Sequence, residues 1–236
     1  MTTARHRITH ALGLVALAAA LMAGAPAHAQ VGPATEEVSR YNGLHAAAHR
    51  GDLNAIARLV AARSDLNARD GHGRTPLHVA TFARRPAAIR ALARAGADLG
   101  ALENDRYDAV TIAAVADDGA SLRALLAEGA SARLTTSRYD GTALIAAAHL
   151  GHEGIVAQLI GAGAPLDHVN NLHWTALLEA IVLGDGGPRH IATLRALVGA
   201  GASLSLTDRE GRTPLALARA RGYVEMVKIL EGAGAR

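Results

Sequence analysis

The chain has no cysteine. That absence excludes disulfides, thiolate metal sites, a cysteine nucleophile and a lipid attached through an N-terminal cysteine. Aromatic residues are nearly as scarce: 236 residues hold one tryptophan, one phenylalanine and four tyrosines. A thick sandwich core is therefore a poor guess, and abundant alanine and glycine suit closely packed helices better. Net charge is also small, at +3, and falls to about +1 once Arg5 and Arg7 near the N-terminus are set aside. Nothing in that balance draws the chain to nucleic acid. The apolar run at residues 11–25 is too short to span a bilayer, which takes roughly 20 residues of helix.

What that run does fit is an export signal. Arg5 and Arg7 precede it, and Pro26-Ala27-His28-Ala29 follows with small residues at an Ala-x-Ala site. Residues 1–29 are expected to be a cleavable secretory signal peptide, cut between Ala29 and Gln30, with no stable membrane insertion afterwards. The destination is then the periplasm or the medium. Residues 30–40 are expected to be a linker or a short N-terminal capping segment that includes Glu36 and Glu37.

Self-similarity dominates the remainder. Asp70-Gly-His-Gly-Arg-Thr-Pro-Leu-His-Val-Ala80 has a partner in Asp208-Arg-Glu-Gly-Arg-Thr-Pro-Leu-Ala-Leu-Ala218. The threonine slot recurs at Asn42, Thr75, Asp108, Thr142, Thr175 and Thr213, at intervals of 33, 33, 34, 33 and 38. A leucine trails it by 17 residues at Leu59, Leu92, Leu125, Leu159 and Leu230, and by 22 at Leu197. Glycine follows that leucine by four in every unit but the first, which has Arg63. A left-handed residue is what a helix C-terminus needs at that point.

Local physics builds each unit. Pro76 and Pro214 suit a first helical turn, and Thr75 and Thr213 can cap it. Leu77, Ala80 and Thr81 make the buried stripe of a first helix, and Ile89, Leu92 and Ala93 that of a second. Neither helix can bury its stripe alone, so the units must stack.

The Thr-Pro-Leu-His-x-Ala signature resembles the ankyrin repeat. The resemblance implies an all-α solenoid of helix-turn-helix units joined by β-hairpin-like loops, here as six repeats at about 41–70, 71–103, 104–136, 137–170, 171–208 and 209–236. The third, with Asp108-Ala-Val-Thr-Ile-Ala113, is the most divergent and is expected to weaken the middle of the stack. The insertion at 184–190 in the fifth is glycine-rich and is expected to protrude as a loop.

The resemblance also implies non-catalytic binding of another protein through the concave face, as an adaptor, accessory or inhibitor. Carried over residue by residue, the slot before the threonine holds Tyr41, Arg74, Tyr107, Gly141, Trp174 and Arg212. Hairpin tips add His72, Asp105, Arg138, Tyr139, Leu172 and Glu210. First-helix positions add His49, Arg50, Phe82, Val115, His149, Leu150, Val182, Leu183 and Arg221. Five of the six aromatics fall on these slots, and aromatics with arginine dominate protein interfaces energetically. The bland alternative is that they pack on the neighbouring hairpin.

Other chemistry finds little support. His45 and His49 have i, i+4 spacing, but no acidic residue follows His45 as in His-Glu-x-x-His, and its slot is the family's structural histidine. His149 and His152 make as thin a case, so neither metal nor cofactor is expected. Asp117, Asp118 and Asp185 lie at helix ends and loops, with no nucleophile motif anywhere. A secreted effector acting on a host protein is the rival reading; a metal-binding or catalytic periplasmic protein is the rival from another class. The chain is expected to be a monomer whose end repeats cap its core.

Overall fold

The computed structural model of the protein describes residues 30–236. The expected signal peptide and its expected cleavage point at Ala29 fall on residues 1–29, outside the described residues. A short helix, α1 (Thr35–Arg40), is followed by six helix pairs. These are α2 (Gly43–Arg50) with α3 (Leu53–Ala61), α4 (Pro76–Phe82) with α5 (Pro86–Arg94), and α6 (Ala109–Val115) with α7 (Gly119–Ala127). The series continues with α8 (Ala143–His149) and α9 (Glu153–Gly161), α10 (Ala176–Val182) and α11 (Pro188–Gly199), and α12 (Pro214–Ala220) and α13 (Val224–Gly232).

Every residue of the threonine slot is the N-cap of a first helix. In five of the six the cap side chain accepts the backbone N–H three residues on, as Thr142 does from Ile145 and Asp108 from Thr111. Each such cap contributes about 1 kcal/mol by satisfying a donor that helical geometry leaves bare. The second helices end on a left-handed turn, with positive φ at Gly96, Gly129, Gly163, Gly201 and Gly234, and Arg63 takes the same conformation at φ 57°.

Stacking completes what each pair lacks. First helices pack on first helices along the series and second helices on second helices, so one hydrophobic core runs through Ile56, Leu77, Leu92, Leu125, Leu159, Leu197 and Leu230. Alanines such as Ala47, Ala80, Ala113, Ala147, Ala180 and Ala218 are fully buried between them, and their small size allows close approach. The last helix turns Glu225, Lys228 and Glu231 to solvent.

Between repeats the chain makes a tight finger with hairpin hydrogen bonding but, among the described residues, no strand beyond the isolated Thr136–Gly141 bridge. Finger closures run from Asp70 N to Arg74 O, Glu103 N to Tyr107 O, Asn170 N to Trp174 O and Asp208 N to Arg212 O. In the fourth repeat the closure spans one more residue, Thr136 N to Gly141 O, which is where the 34-residue interval comes from. Fingers are also tied to one another: Asn104 N donates to His72 O, Ser137 N to Arg106 O and Asn171 N to Tyr139 O.

The insertion in the fifth repeat is a loop only over residues 184–187, where Asp185 is exposed. Residues 188–190 form the first turn of α11, which is thereby longer than the other second helices, and Gly184 is buried. The expectation of a loop rested on glycine content alone. Here the glycine permits contact: a Cβ on Gly184 would clash with Ala180 O. The Tyr223 hydroxyl donates to Gly184 O at 2.8 Å, Arg189 reaches Asp117 at 2.7 Å, and His190 Nε2 donates to His149 O at 2.9 Å. The insertion thus braces the third to sixth repeats.

Candidate functional site

The fingers and the C-terminal ends of the first helices form the face that the family resemblance marks for binding. Its geometry begins at the root of the fingers, where in four of the five one side chain accepts two backbone N–H groups. Asp70 Oδ1 accepts the N–H groups of His72 and Arg74, Glu103 Oε1 those of Asp105 and Tyr107, Asn170 Oδ1 those of Leu172 and Trp174, and Asp208 Oδ1 those of Glu210 and Arg212. These bonds hold four fingers in one shape, so the side chain just before the N-cap is presented at a fixed point; in the 136–141 finger Ser137 Oγ accepts from Tyr139 N alone. Threonine or aspartate at the cap then fixes the helix that follows.

The first two repeats use this face on themselves. Arg74, expected to be exposed, is only 2% exposed. Its guanidinium bonds Asp70 at 2.8 Å and Glu37 of α1 at 2.8 Å, so the N-terminal helix covers it. Glu37 also meets His72 at 2.7 Å. Tyr41 donates its hydroxyl to Asp70 at 2.7 Å and packs on the core, and burial with the Asp70 hydrogen bond pushes its pKa up. Asp70 itself is pulled down to about 2: burial opposes its charge, but the Tyr41 hydroxyl and the Arg74 donors outweigh it. Phe82 lies against Gly32, where a Cβ would be 3.2 Å from its ring. Local packing is thus the observed state of Tyr41, Arg74 and Phe82. His49 is half-buried, and burial with the nearby Arg85 and Arg50 charges lowers its pKa; Arg50 is exposed.

The third to fifth repeats leave more of the face open. Tyr139 at its finger tip is 49% exposed, Tyr107 is half-buried, and Trp174 is half-buried with part of its surface packed on the core. Leu150 and Leu183, at equivalent helix ends of adjacent repeats, are exposed, and Leu172 is half-buried. Burial, then Asp105, raises the Tyr107 pKa, which keeps its hydroxyl neutral. Arg138 faces Asp105 at 3.3 Å and Arg106 faces Asp140 at 3.5 Å, both pairs well exposed and so of small energetic weight. In the last repeat Arg212 pairs with Asp208 and Glu210, and Arg221 lies over the Tyr223 ring at 5.9 Å.

Three of the histidines bond local backbone groups. His45 Nε2 meets Arg74 O at 2.9 Å, and His78 Nε2 meets Ala101 O at 3.0 Å while its Nδ1 accepts from Thr75 N. His152 bonds Ala114 O. Among the described residues no group of three or more histidines, aspartates or glutamates converges as a metal site would require, and no helix is long and apolar enough to cross a membrane.

Two functional-looking residues escape a slot-by-slot reading. Glu179 in α10 is 5% exposed, with Asn170 Nδ2 donating to it at 2.8 Å and His149 Nδ1 lying 3.3 Å from its other oxygen. Glu37 covers the Asp70–Arg74 finger from α1. The signal for Glu179 was present, since it is the one charged residue in a slot that otherwise holds Ala46, Val79, Ile112, Ala146 and Leu217.

Comparison with known proteins agrees with this architecture. Family models described as ankyrin repeats match residues 44–93 (many copies) and 110–208 (3 copies). An ankyrin repeat protein of Escherichia coli strain K12, YahD, is 36% identical over 190 residues, covering 80% of this chain and 94% of that one. The crystal structure of an ankyrin repeat domain from Acinetobacter baumannii AYE is 44% identical, with a TM-score of 0.77 over 82% of this chain and 98% of that one. A chain in the structure of the predatory endopeptidase Bd0816 of Bdellovibrio bacteriovorus in complex with immunity protein Bd3460 is 26% identical, with a TM-score of 0.64 over 81% and 98%.

Proposed function

Because the chain belongs to the ankyrin repeat family, whose members are generally non-catalytic binding scaffolds, we propose that it is an exported scaffold that captures another protein on its finger face and performs no catalysis. The observation that carries this reading is the placement of Tyr107, Tyr139 and Trp174 on three successive fingers, with Leu150 and Leu183 exposed beside them. Tyrosine and tryptophan bring large contact area at little entropic cost, and this scaffold otherwise spends almost no aromatic surface. The docking site is therefore centred on the third to fifth repeats. The Asp70–Arg74 finger is engaged by Glu37 of α1 and by Tyr41.

A similar chain occurs in a complex between an endopeptidase and an immunity protein, which supports binding of another protein as the role of such a scaffold. Export is supported by the basic, apolar and small-residue regions of residues 1–29. A fusion of residues 1–40 to a reporter active only in the periplasm tests it: activity is expected, and a reporter retained in the cytoplasm would refute export.

A further inference from the structure

In five repeats the residue four past the N-cap is apolar: Ala46, Val79, Ile112, Ala146 and Leu217. The fifth repeat puts Glu179 there, and the carboxylate is buried. A second departure compensates it. The finger root, acidic at Asp70, Glu103 and Asp208, is Asn170 in this repeat. An aspartate would set two carboxylates against each other, whereas the Asn170 amide keeps the finger-closing acceptor and adds a donor to Glu179 Oε1 at 2.8 Å.

The other oxygen is held loosely. Glu179 Oε2 faces His149 Nδ1 at 3.3 Å, and that imidazole is 43% exposed. Among the described residues no lysine or arginine pairs with Glu179. A carboxylate in such surroundings gains most from a full positive charge brought to it, since the low-dielectric site strengthens the attraction. It has unused lone pairs to accept one. Asn170 also holds the backbone of Trp174, so an aromatic residue suited to a cation is anchored to the same finger.

We propose that Glu179 receives a basic side chain, arginine or lysine, carried by the docked partner, with His149 as the ring that gives way at Oε2. This rests on the finger face being the docking face. It commits the partner to a surface that projects a cation into an apolar surround.

The test uses the purified protein at pH 7.5 with N-acetyl-arginine methylamide as the probe and its neutral isostere N-acetyl-citrulline methylamide as the control. Trp174 is the chain's one tryptophan, so its indole N–H gives a single NMR signal beside the site. The arginine probe is expected to shift that signal saturably and the citrulline probe to leave it in place. Glu179→Gln keeps an acceptor for Asn170 and is expected to weaken probe binding about tenfold. His149→Ala uncovers Oε2 and is expected to tighten it. An equal response to both probes, no response to either, or His149→Ala binding that is unchanged or weaker overturns the proposal. A silent titration removes the cation site alone, because the docking reading is judged separately by partner capture in tyrosine variants.

Discussion

Arg74 and Asp70 form a closed pair, guanidinium to carboxylate at 2.8 Å, and the same pair recurs between Arg212 and Asp208 in the last repeat. The two differ in cover. Arg74 is sealed by Glu37 of α1, while the Arg212 side chain is 50% exposed. Arg74→Ala leaves two carboxylates facing each other without their cation and is expected to cost about 2–4 kcal/mol of unfolding free energy. Arg212→Ala is expected to cost under about 1 kcal/mol. Urea denaturation of both variants checks this; equal losses would mean that α1 contributes no cover.

Acid should weaken the fold in two windows. His78 is buried, donates Nε2–H to Ala101 O and accepts at Nδ1 from Thr75, an arrangement only the neutral ring satisfies. Burial lowers its pKa from 6.5 to about 4, so between those values the unfolded chain binds a proton that the native state refuses. Stability is full above pH 6.5 and falls by about 3 kcal/mol as pH drops to 4. Asp70, held down to about 2, contributes stability above pH 3.8 that is lost as pH falls through 2. Denaturant midpoints of the protein and of His78→Gln, followed from pH 7.5 to 4, should differ in slope in the first window. Parallel curves would contradict the assignment.

The third repeat is capped by a buried aspartate where Thr142 and Thr175 serve their own repeats. Asp108 is 1% exposed, and burial raises its pKa, a sign that the charge is poorly housed. Asp108→Thr retains the cap hydrogen bond without the charge and is expected to stabilise by about 1 kcal/mol at pH 7. The readout is a higher urea midpoint at constant m-value; a lower midpoint would show that the carboxylate is needed.

Gly184 and Gly154 separate a brace from a passive glycine. Gly184→Ala drives a Cβ into Ala180 O and the His190 ring, and is expected to destabilise by more than about 2 kcal/mol. Gly154→Ala, in α9 with nothing within 4 Å of its Cβ, is expected to be neutral or to stabilise by up to about 1 kcal/mol. Thermal unfolding of the two variants decides whether the insertion packs as described.

The repeat was legible because its signals are local. A cap, a buried leucine and a left-handed turn each act within one unit, and Arg63 adopts the turn even where the glycine is missing. The departures depend on partners far away in sequence. Arg74 is buried because Glu37, 37 residues earlier, folds over it. The insertion packs because Asp117, His149 and Tyr223 sit where three other repeats place them. Glu179 stands out in the sequence as the one charge in its slot, but what holds it buried, the companion change to Asn170, shows only when the two are seen side by side.

Partner capture by tyrosine variants tests the docking face most directly. Tyr139 and Tyr107 can be truncated with the least loss of core, whereas Trp174 packs partly on it. The protein and its Tyr107→Ala, Tyr139→Ala double variant would be crosslinked in native extract and their captured partners compared, with helical circular dichroism recorded for both. The account predicts that a partner taken by the protein is lost by the double variant while the dichroism is unchanged. Capture of the same partner by the double variant would contradict it.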